Sequence, residues 1–323
     1  MPKHKTNNHF FNLDPKYILK HIEDLGFQAT GEIFQLNSYE NRVFEIKLEN
    51  HEPLIVKYYR PHRWSLETIQ DEHDFGMQLQ TAGLNVGIPI SFNQNSKTIH
   101  TWNHQDQKIH YAYFKKVRGR MMQEILHNEF EKIGSYVALI HNVGQQSVAK
   151  NRNYLGPTGE SKWNIIQELE EIVSLEVKNK YLDLIIEIFD TIDEKLSEFN
   201  DIRIHGDLHR GNILKNSDDN LAFVDLDDMI NGPAVQDFWM LFPDQNFIET
   251  KEFELFLNGY QKLREFNLKE LELIHLLRSY RQINYSYWIY QRWDDPSFKK
   301  LFPEFNTYRY WVEETEALQK CLF

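Results

Sequence analysis

Two clusters of polar residues, separated by short apolar runs, constrain the fold of this 323-residue chain most strongly. The clusters lie within residues 205–212 and 225–228, and the apolar runs occupy residues 202–204, 213–214 and 221–224. Short apolar runs bounded by turn residues are typical of short buried strands, with residues 216–220 as the hairpin between the last two. This pattern predicts that Asp207, Asn212 and Asp225 stand on strand ends and tight loops that face one cleft.

These three side chains form the set that phosphoryl transfer requires. One carboxylate orients the attacking hydroxyl and accepts its proton, while an amide oxygen and a second carboxylate hold Mg²⁺ against the phosphates of ATP. Magnesium prefers oxygen ligands and keeps several waters, so two protein ligands suffice. The spacing Asp-x-x-x-x-Asn from Asp207 to Asn212 matches the catalytic loop of kinases, and Asp225 falls where their metal-binding Asp follows. An EF-hand calcium loop, the alternative for an acidic turn, would need a Glu at its twelfth position, which this segment lacks.

Two departures from the protein-kinase pattern indicate a particular branch of the kinase-like fold. The loop opens His-Gly-Asp in place of His-Arg-Asp, and Asp-Leu-Asp replaces Asp-Phe-Gly. In both respects the chain resembles the aminoglycoside phosphotransferase and choline kinase branch of the kinase-like fold. The resemblance implies an α+β, bilobal fold, in which we expect an antiparallel five-stranded sheet plus a helix before a mainly helical second lobe. We predict that residues 1–116 form the nucleotide-binding lobe and residues 117–323 the lobe with the catalytic loop, the metal site and the substrate region.

The sequence before the catalytic loop contains a candidate lysine for binding ATP. Asp14-Pro15 predicts the start of a helix that ends at Gly26, and residues 33–36, 42–48 and 54–59 predict three strands. Lys57 lies centrally in the third strand, where kinases carry the Lys that binds the α- and β-phosphates and pairs with a helix Glu. A single Lys on a strand is more often a solvated edge residue, so the catalytic loop downstream favours the functional interpretation.

The partner of Lys57 is expected on the next helix, over residues 65–82. Glu72 falls on the same helical stripe as apolar residues, and a carboxylate buried on such a stripe needs a cation. Glu72 is therefore the predicted partner, with Asp71 and Glu67 as alternatives if the helix starts elsewhere.

The loop over residues 36–42 lies where a kinase places the loop that covers the ATP phosphates. It contains no glycine, but Asn and Ser can turn the chain and present backbone amides or a hydroxyl to an anion. Ser38 is the predicted phosphate contact, and an ordinary hairpin loop is the alternative.

The remaining sequence predicts the rest of both lobes. Residues 86–92, 98–102 and 109–117 predict further strands, and helices are predicted from residue 130 and over 165–177, 181–199, 252–266 and 268–293. His141 is expected in the core, and Asp237, among apolar residues, is expected to brace the catalytic loop. We expect His205 to organise the loop backbone and leave the role of His209 open, while Asp227 is a weaker metal candidate than Asp225.

Composition excludes several other classes of function. Lys plus Arg total 36 against 48 for Asp plus Glu, and this balance of −12 argues against a nucleic-acid binder. The single cysteine, Cys321, excludes an intrachain disulfide, and residues 1–12 lack the apolar core of a signal peptide. No apolar run approaches the roughly 18 residues that span a bilayer. We therefore expect a cytoplasmic protein without nucleic-acid or membrane partners.

A narrower resemblance rests on runs outside the catalytic motifs. The chain resembles the stress response kinase A family in Asn-Ser-Tyr-Glu-Asn-Arg over 37–42, in Val-Lys-Tyr-Tyr-Arg-Pro over 56–61, in Arg63-Trp64, in Gly-Pro-Ala-Val-Gln-Asp over 232–237 and in Arg292-Trp293 with Asp295-Pro296. This family consists of bacterial cytosolic Ser/Thr protein kinases.

The resemblance implies a role for each candidate residue. Asp207 would be the proton acceptor, Asn212 and Asp225 would hold Mg²⁺, and Ser38 would lie at ATP. The expected partners are protein substrates with Ser or Thr hydroxyls, and we expect a monomer.

Two alternatives stay open on the residues alone. One is a small-molecule kinase with a homoserine-, choline- or aminoglycoside-like acceptor, which the catalytic motifs fit equally well. The other is a pseudokinase scaffold, against which the intact catalytic set counts.

Overall fold

The computed structural model describes residue 10 and residues 13–36, 38–92, 96–105, 107–157, 159–242, 244 and 246–322. Asn37 of the predicted phosphate loop, and residues 1–9, 11 and 12 of the segment considered for a signal peptide, lie outside these residues. Within these ranges no helix is both long and apolar enough to cross a membrane.

The chain begins with a capped helix and an antiparallel sheet. The side chain of Asp14 accepts a hydrogen bond from Lys16 N at 2.9 Å and starts α1, Pro15–Asp24, as predicted. The sheet has the order β1-β2-β3-β6-β4, with β5 also paired to β6. Its strands are β1 (Ala29–Leu36), β2 (Arg42–Leu48), β3 (Leu54–Tyr58), β4 (Pro89–Ile90), β5 (His100–His104) and β6 (Gln107–Lys115).

Among the described residues the sheet contains six strands and not the predicted five, although six strand runs were predicted. The difference arises at β6, whose residues Tyr111–Lys115 pair with β3 along one edge. On the other edge β5 pairs with the first half of β6, and the two-residue β4 pairs with Tyr113 and Phe114 near its end. One long strand thus accommodates two short partners in succession.

Helix α2 (Leu66–Thr81) packs between the sheet and the later part of the chain. Ser65 caps it by accepting a hydrogen bond from Thr68 N at 3.1 Å. Ile69 packs in a cluster with sheet residues, whereas Phe75 and Leu79 belong to the large core formed mainly by later elements. The buried stripe of α2 therefore fixes the sheet against the part of the chain that contains the predicted catalytic loop.

The remainder is mainly helical, with short strands that carry the catalytic loop. Strands β9 and β10 form the predicted antiparallel hairpin, β7 pairs with β9, and β8 pairs with β11. These elements are β7 (Arg120–Met121), α3 (Phe130–Gly144), α4 (Gly159–Glu170), α5 (Lys178–Leu196), β8 (Ile202–Ile204), β9 (Ile213–Lys215), β10 (Leu221–Phe223), β11 (Ile230–Gly232), α6 (Gln236–Trp239), α7 (Lys251–Gln261), α8 (Ile274–Gln291), α9 (Pro296–Leu301) and α10 (Tyr308–Leu322).

Two apolar cores support this part of the chain. The larger one surrounds α3 and α7 and includes the short strands next to the catalytic loop. The second lies among α4, α5, α8 and α10 and holds α8 in place beside the loop. The α+β, kinase-like architecture is thus confirmed, while the lobe boundary at residue 116 stays a prediction.

Candidate active site

One buried carboxylate, that of Asp237, braces the predicted catalytic loop over residues 205–212. Asp237 is fully buried, and its two oxygens accept hydrogen bonds from His205 N at 2.7 Å and Gly206 N at 2.8 Å. His141 Nε2 lies 3.1 Å from the same carboxylate, in the core, where burial lowers the pKa of His141 despite the opposing effect of Asp237. The bracing predicted for Asp237 is therefore present.

Steric constraints explain why the second residue of the His-Gly-Asp motif is a glycine. Gly206 has a φ of +83°, and a Cβ at this position would lie 2.2 Å from the backbone oxygen of Asp228. Only glycine adopts this backbone conformation at no steric cost, and here a side chain would also collide with the chain after the second motif. The departure from His-Arg-Asp thus allows the two motifs to approach each other closely.

Asp207 lies at the end of this loop among positively charged or ionisable groups. Arg281 Nη1 on α8 is 2.9 Å from Asp207 Oδ1, and His209 Nε2 is 3.6 Å from Oδ2. Burial would raise the pKa of Asp207, but His209, Arg281 and His205 together hold that pKa below its usual value. The carboxylate is therefore ionised and able to accept a proton at neutral pH.

One oxygen of Asp207 stays available for a ligand. Oδ1 is buried, and within the described part of the chain it has no hydrogen-bond partner, because the contact with Arg281 lacks hydrogen-bond geometry. A buried acceptor without a donor is costly, so this atom is suited to accept a hydrogen bond from a substrate hydroxyl.

Asn212 and Asp225 are brought together by the backbone. Val224 N donates a hydrogen bond to Asn212 O at 3.0 Å, so Asp225 directly follows the contact between the two motifs. The Asn212 side chain donates Nδ2 to Asp207 O at 2.9 Å, which turns its amide oxygen away from the loop. Asp225 has a left-handed backbone, with φ +64°, and its side chain is 52% exposed.

This pair fits a magnesium ion that receives most of its ligands from elsewhere. Across the residues that the structure describes, no group of three or more His, Cys, Asp or Glu side chains could hold a metal. Mg²⁺ is commonly held by one or two carboxylates with waters and substrate phosphates, so one amide oxygen and one carboxylate agree with it.

Lys57 joins three acidic side chains in the cleft. Its Nζ lies 3.0 Å from Glu72 Oε1, 3.0 Å from Asp227 Oδ1 and 3.6 Å from Asp225 Oδ1. Burial would lower the pKa of Lys57, but Asp227 and Glu72 outweigh burial and raise it well above its usual value. The predicted pairing of Lys57 with Glu72 is present, and the contact with Asp227 was not predicted.

The contacts of Asp227 favour a structural role over metal binding. It is 2% exposed, and its second oxygen lies 2.5 Å from Arg63 Nη1. Both of its oxygens therefore contact buried cations, so Asp227 is less accessible to a metal than Asp225. In the sequence, the Arg63-Trp64 run was the one indication of this contact, and it did not identify Asp227 as the partner of Arg63.

Ser38 lies in the loop between β1 and β2. Its Oγ accepts a hydrogen bond from Asn41 N at 3.2 Å, which fixes the turn and leaves the hydroxyl hydrogen available as a donor. Both the phosphate contact and the ordinary hairpin loop are compatible with this geometry.

A buried charge cluster ties this loop to α8, and we refer to it as the Glu40 cluster. Glu40 lies 3.0 Å from Arg60 Nε, 3.6 Å from Arg63 Nη1 and 2.7 Å from Arg292 Nη2, and it accepts a hydrogen bond from Trp288 Nε1 at 2.7 Å. Burial would raise the pKa of Glu40, but Arg63, Arg292 and Arg60 lower it to about 2. The cluster connects runs that the sequence analysis had singled out without assigning them a role.

Comparisons with known proteins identify the family to which the chain belongs. Residues 32–274 match the model of the phosphotransferase enzyme family (APH). Stress response kinase A of Escherichia coli (strain K12) is 33% identical over 311 residues, which cover 95% of this chain and 92% of the relative. The serine/threonine protein kinase RdoA of Salmonella typhimurium (strain LT2) has the same identity and coverage.

Solved structures share the fold at lower identity. Amicoumacin kinase hAmiN, in complex with AMP-PNP, Ca²⁺ and Ami, superposes with a TM-score of 0.72 at 19% identity, covering 95% of this chain and 94% of that one. The microcompartment-associated aminopropanol kinase also gives 0.72, at 18% identity and with 95% and 97% coverage. The chain therefore belongs to the phosphotransferase enzyme family, and within it to the stress response kinase A family.

Proposed function

We propose that this kinase transfers the γ-phosphate of ATP to Ser or Thr hydroxyls of polypeptides. The observation that carries the proposal is the buried Asp207 Oδ1, which lacks a hydrogen-bond donor within the described ranges and lies beside Asn212 and Asp225. The relative named serine/threonine protein kinase RdoA supports the polypeptide acceptor. The family resemblance also leads us to expect a cytoplasmic monomer.

Each residue of the site has a proposed role. Asp207 accepts the proton of the attacking hydroxyl, and Asn212 and Asp225 hold Mg²⁺, which offsets negative charge on the phosphates. Lys57, oriented by Glu72, contacts the α- and β-phosphates. The Ser38 hydroxyl donates to a phosphate oxygen.

A small-molecule kinase is the second candidate. It is favoured by solved structures that share the fold, among them an amicoumacin kinase and an aminopropanol kinase. Incubation with labelled ATP, on generic protein substrates and on a panel of hydroxyl metabolites in parallel, separates the two. Label on Ser or Thr of a protein supports our proposal, whereas efficient turnover of a metabolite without protein labelling contradicts it.

Two substitutions test the roles of the carboxylates. Asp225→Ala should weaken Mg²⁺-dependent ATP binding as well as turnover, because it removes a metal ligand. Asp207→Ala should still bind Mg–ATP and lose about 10²–10⁴-fold in the transfer step. Titration calorimetry of Mg–ATP and a turnover assay measure the two effects.

The exposed Asp218, in the hairpin between the motifs, provides a matched control, and Asp218→Ala should behave as the unmodified protein. Loss of nucleotide in Asp207→Ala with retention in Asp225→Ala would reverse the assignment. Full turnover in both variants would place the active site elsewhere.

A further inference from the structure

Arg281 is a charged residue in the cleft for which the proposed mechanism has no role. It projects from α8, and its Nη1 lies 2.9 Å from Asp207 Oδ1, the atom proposed to accept the proton. The Arg281 side chain is 44% exposed and Asp207 is 23% exposed, so the pair is partly accessible to solvent. Exposed ion pairs are weak. An arriving acceptor can therefore displace Arg281 from Asp207 at little cost.

Together with Arg281, two exposed tyrosines form a strip of side chains on the surface. Tyr285, 46% exposed, lies one helical turn after Arg281 on the same face of α8 and stacks on Trp288 with ring centroids 5.6 Å apart. Tyr39, 56% exposed, belongs to the loop of Ser38. Tyr39 precedes Glu40, which accepts a hydrogen bond from Trp288 Nε1 at 2.7 Å, so this contact brings Tyr39 near Tyr285 on the other side of Trp288. We call Arg281, Tyr285 and Tyr39 the acceptor strip.

We propose that Arg281 recognises a negative charge on the acceptor, so that the preferred substrate is a Ser or Thr with an acidic side chain close to it. The inference rests on the proposed function and specifies its substrate class. A guanidinium binds a carboxylate through two parallel hydrogen bonds, and the tyrosines offer apolar surface to the adjoining backbone. When the acceptor carboxylate engages Arg281, the substrate hydroxyl can take its place at Asp207 Oδ1.

The same geometry disfavours an acceptor that carries an amine. Exposed aromatic rings alone would also suit a cation. A cationic acceptor next to Asp207, however, would meet Arg281 at close range, where like charges repel. Arg281 therefore makes an anionic acceptor preferable to a cationic one, since the tyrosines would bind both equally.

The charge of Arg281 is opposite to the net charge of the whole molecule. The net charge of −12 attracts basic peptides at long range and repels acidic ones. A preference for acidic peptides would therefore have to come from Arg281 itself, whereas a preference for basic peptides would reflect the net charge of the whole molecule.

The test uses three peptides of equal length in which Ser is flanked by Glu, Gln or Lys. We expect kcat/KM to be about 2- to 5-fold higher for the Glu peptide than for the Gln peptide, the range typical of a partly exposed ion pair. Arg281→Gln should abolish this preference, and Arg281→Glu should reverse it toward the Lys peptide. The change should appear in the KM for peptide and leave the KM for ATP unchanged.

Arg309→Gln is the matched control, because Arg309 is also an exposed helical arginine and pairs with Glu313. It should retain the preference of the unmodified protein. An equal preference for the three peptides, or a preference that Arg281→Gln leaves intact, would overturn the inference.

A parallel panel of hydroxy acids and amino alcohols separates this inference from the proposed function. Turnover of hydroxy acids alone, dependent on Arg281, would refute the polypeptide acceptor and retain the anion recognition. Turnover of amino alcohols, unaffected by Arg281→Gln, would refute both.

Discussion

The substitution Asp295→Asn tests whether the loop of Ser38 is held in place by charge. Asp295 precedes α9 and is 1% exposed. Its Oδ2 lies 3.4 Å from Arg42 Nη2 and 3.6 Å from Arg60 Nη2, and both arginines belong to the sheet side of the molecule. Its Oδ1 caps α9 by accepting a hydrogen bond from Ser297 N at 3.0 Å. Asparagine preserves the shape and the cap but removes the charge.

The magnitude follows from these distances. At an effective dielectric constant of about 20, one pair of charges 3.5 Å apart attracts with roughly 5 kcal/mol, so two arginines give roughly 9 kcal/mol. Withdrawing the carboxylate from water costs several kcal/mol and offsets more than half of this attraction. We therefore expect Asp295→Asn to lower the free energy of unfolding by about 3 kcal/mol and Tm by about 5 °C. Asp295→Ala should lose about 1 kcal/mol more, because it also removes the cap.

Chemical denaturation followed by circular dichroism measures both variants. Because the Asp295 pair is buried, its loss should be nearly the same at low and at high salt. Glu313→Gln is the control, since it breaks an exposed pair with Arg309 and should cost less than about 1 kcal/mol. A loss below about 1 kcal/mol for Asp295→Asn would show that water, and not Asp295, stabilises the two arginines.

Two further predictions concern the catalytic loop and the pH dependence of stability. Gly206→Ala should destabilise by more than about 1–2 kcal/mol in thermal unfolding, because the left-handed backbone alone costs that much and the new Cβ would overlap Asp228 O at 2.2 Å; an unchanged Tm would refute this. Burial raises the pKa of Glu270 to about 7 from 4.5, although Val235 N donates a hydrogen bond to it at 3.0 Å. The folded state thus binds the extra proton, so stability is full below pH 4.5 and falls by roughly 3 kcal/mol as pH rises through 7. Glu270→Gln should therefore be more stable than the unmodified protein at pH 8 and equal to it at pH 5, and an equal difference at both values would contradict the assignment.

Local signals accounted for much of the fold. Asp14-Pro15 and Ser65 start helices because each places an oxygen where the first backbone amides need an acceptor. The pairing of Glu72 with Lys57 could be predicted because kinases pair this Lys with a helix Glu, and because a carboxylate on the buried stripe requires a cation. Such predictions succeed because the cause lies within one or two turns of the residue.

Features that depend on long-range packing were missed. Six strand runs were predicted, but not that all six join one sheet: β6 is long enough to pair with both β4 and β5 on one edge, which strand patterns do not reveal. Arg281 could not be connected with Asp207 because they are far apart in sequence and the placement of α8 depends on a separate core. An exposed arginine on a helix has the same local pattern whether it faces solvent or a cleft.

The distances around Lys57 explain why Asp225, of the three carboxylates near it, is the one suited to a metal. Glu72 and Asp227 each lie 3.0 Å from Lys57 and are almost fully buried, so separating either from its cation would leave an unpaired charge in a poorly solvated place. Asp225 lies 3.6 Å from Lys57 and is 52% exposed, so water can replace that contact at small cost. If Mg–ATP bound here as we propose, Asp225 would be available to hold the metal and Lys57 to contact the phosphates, while Glu72 and Asp227 would keep Lys57 in position.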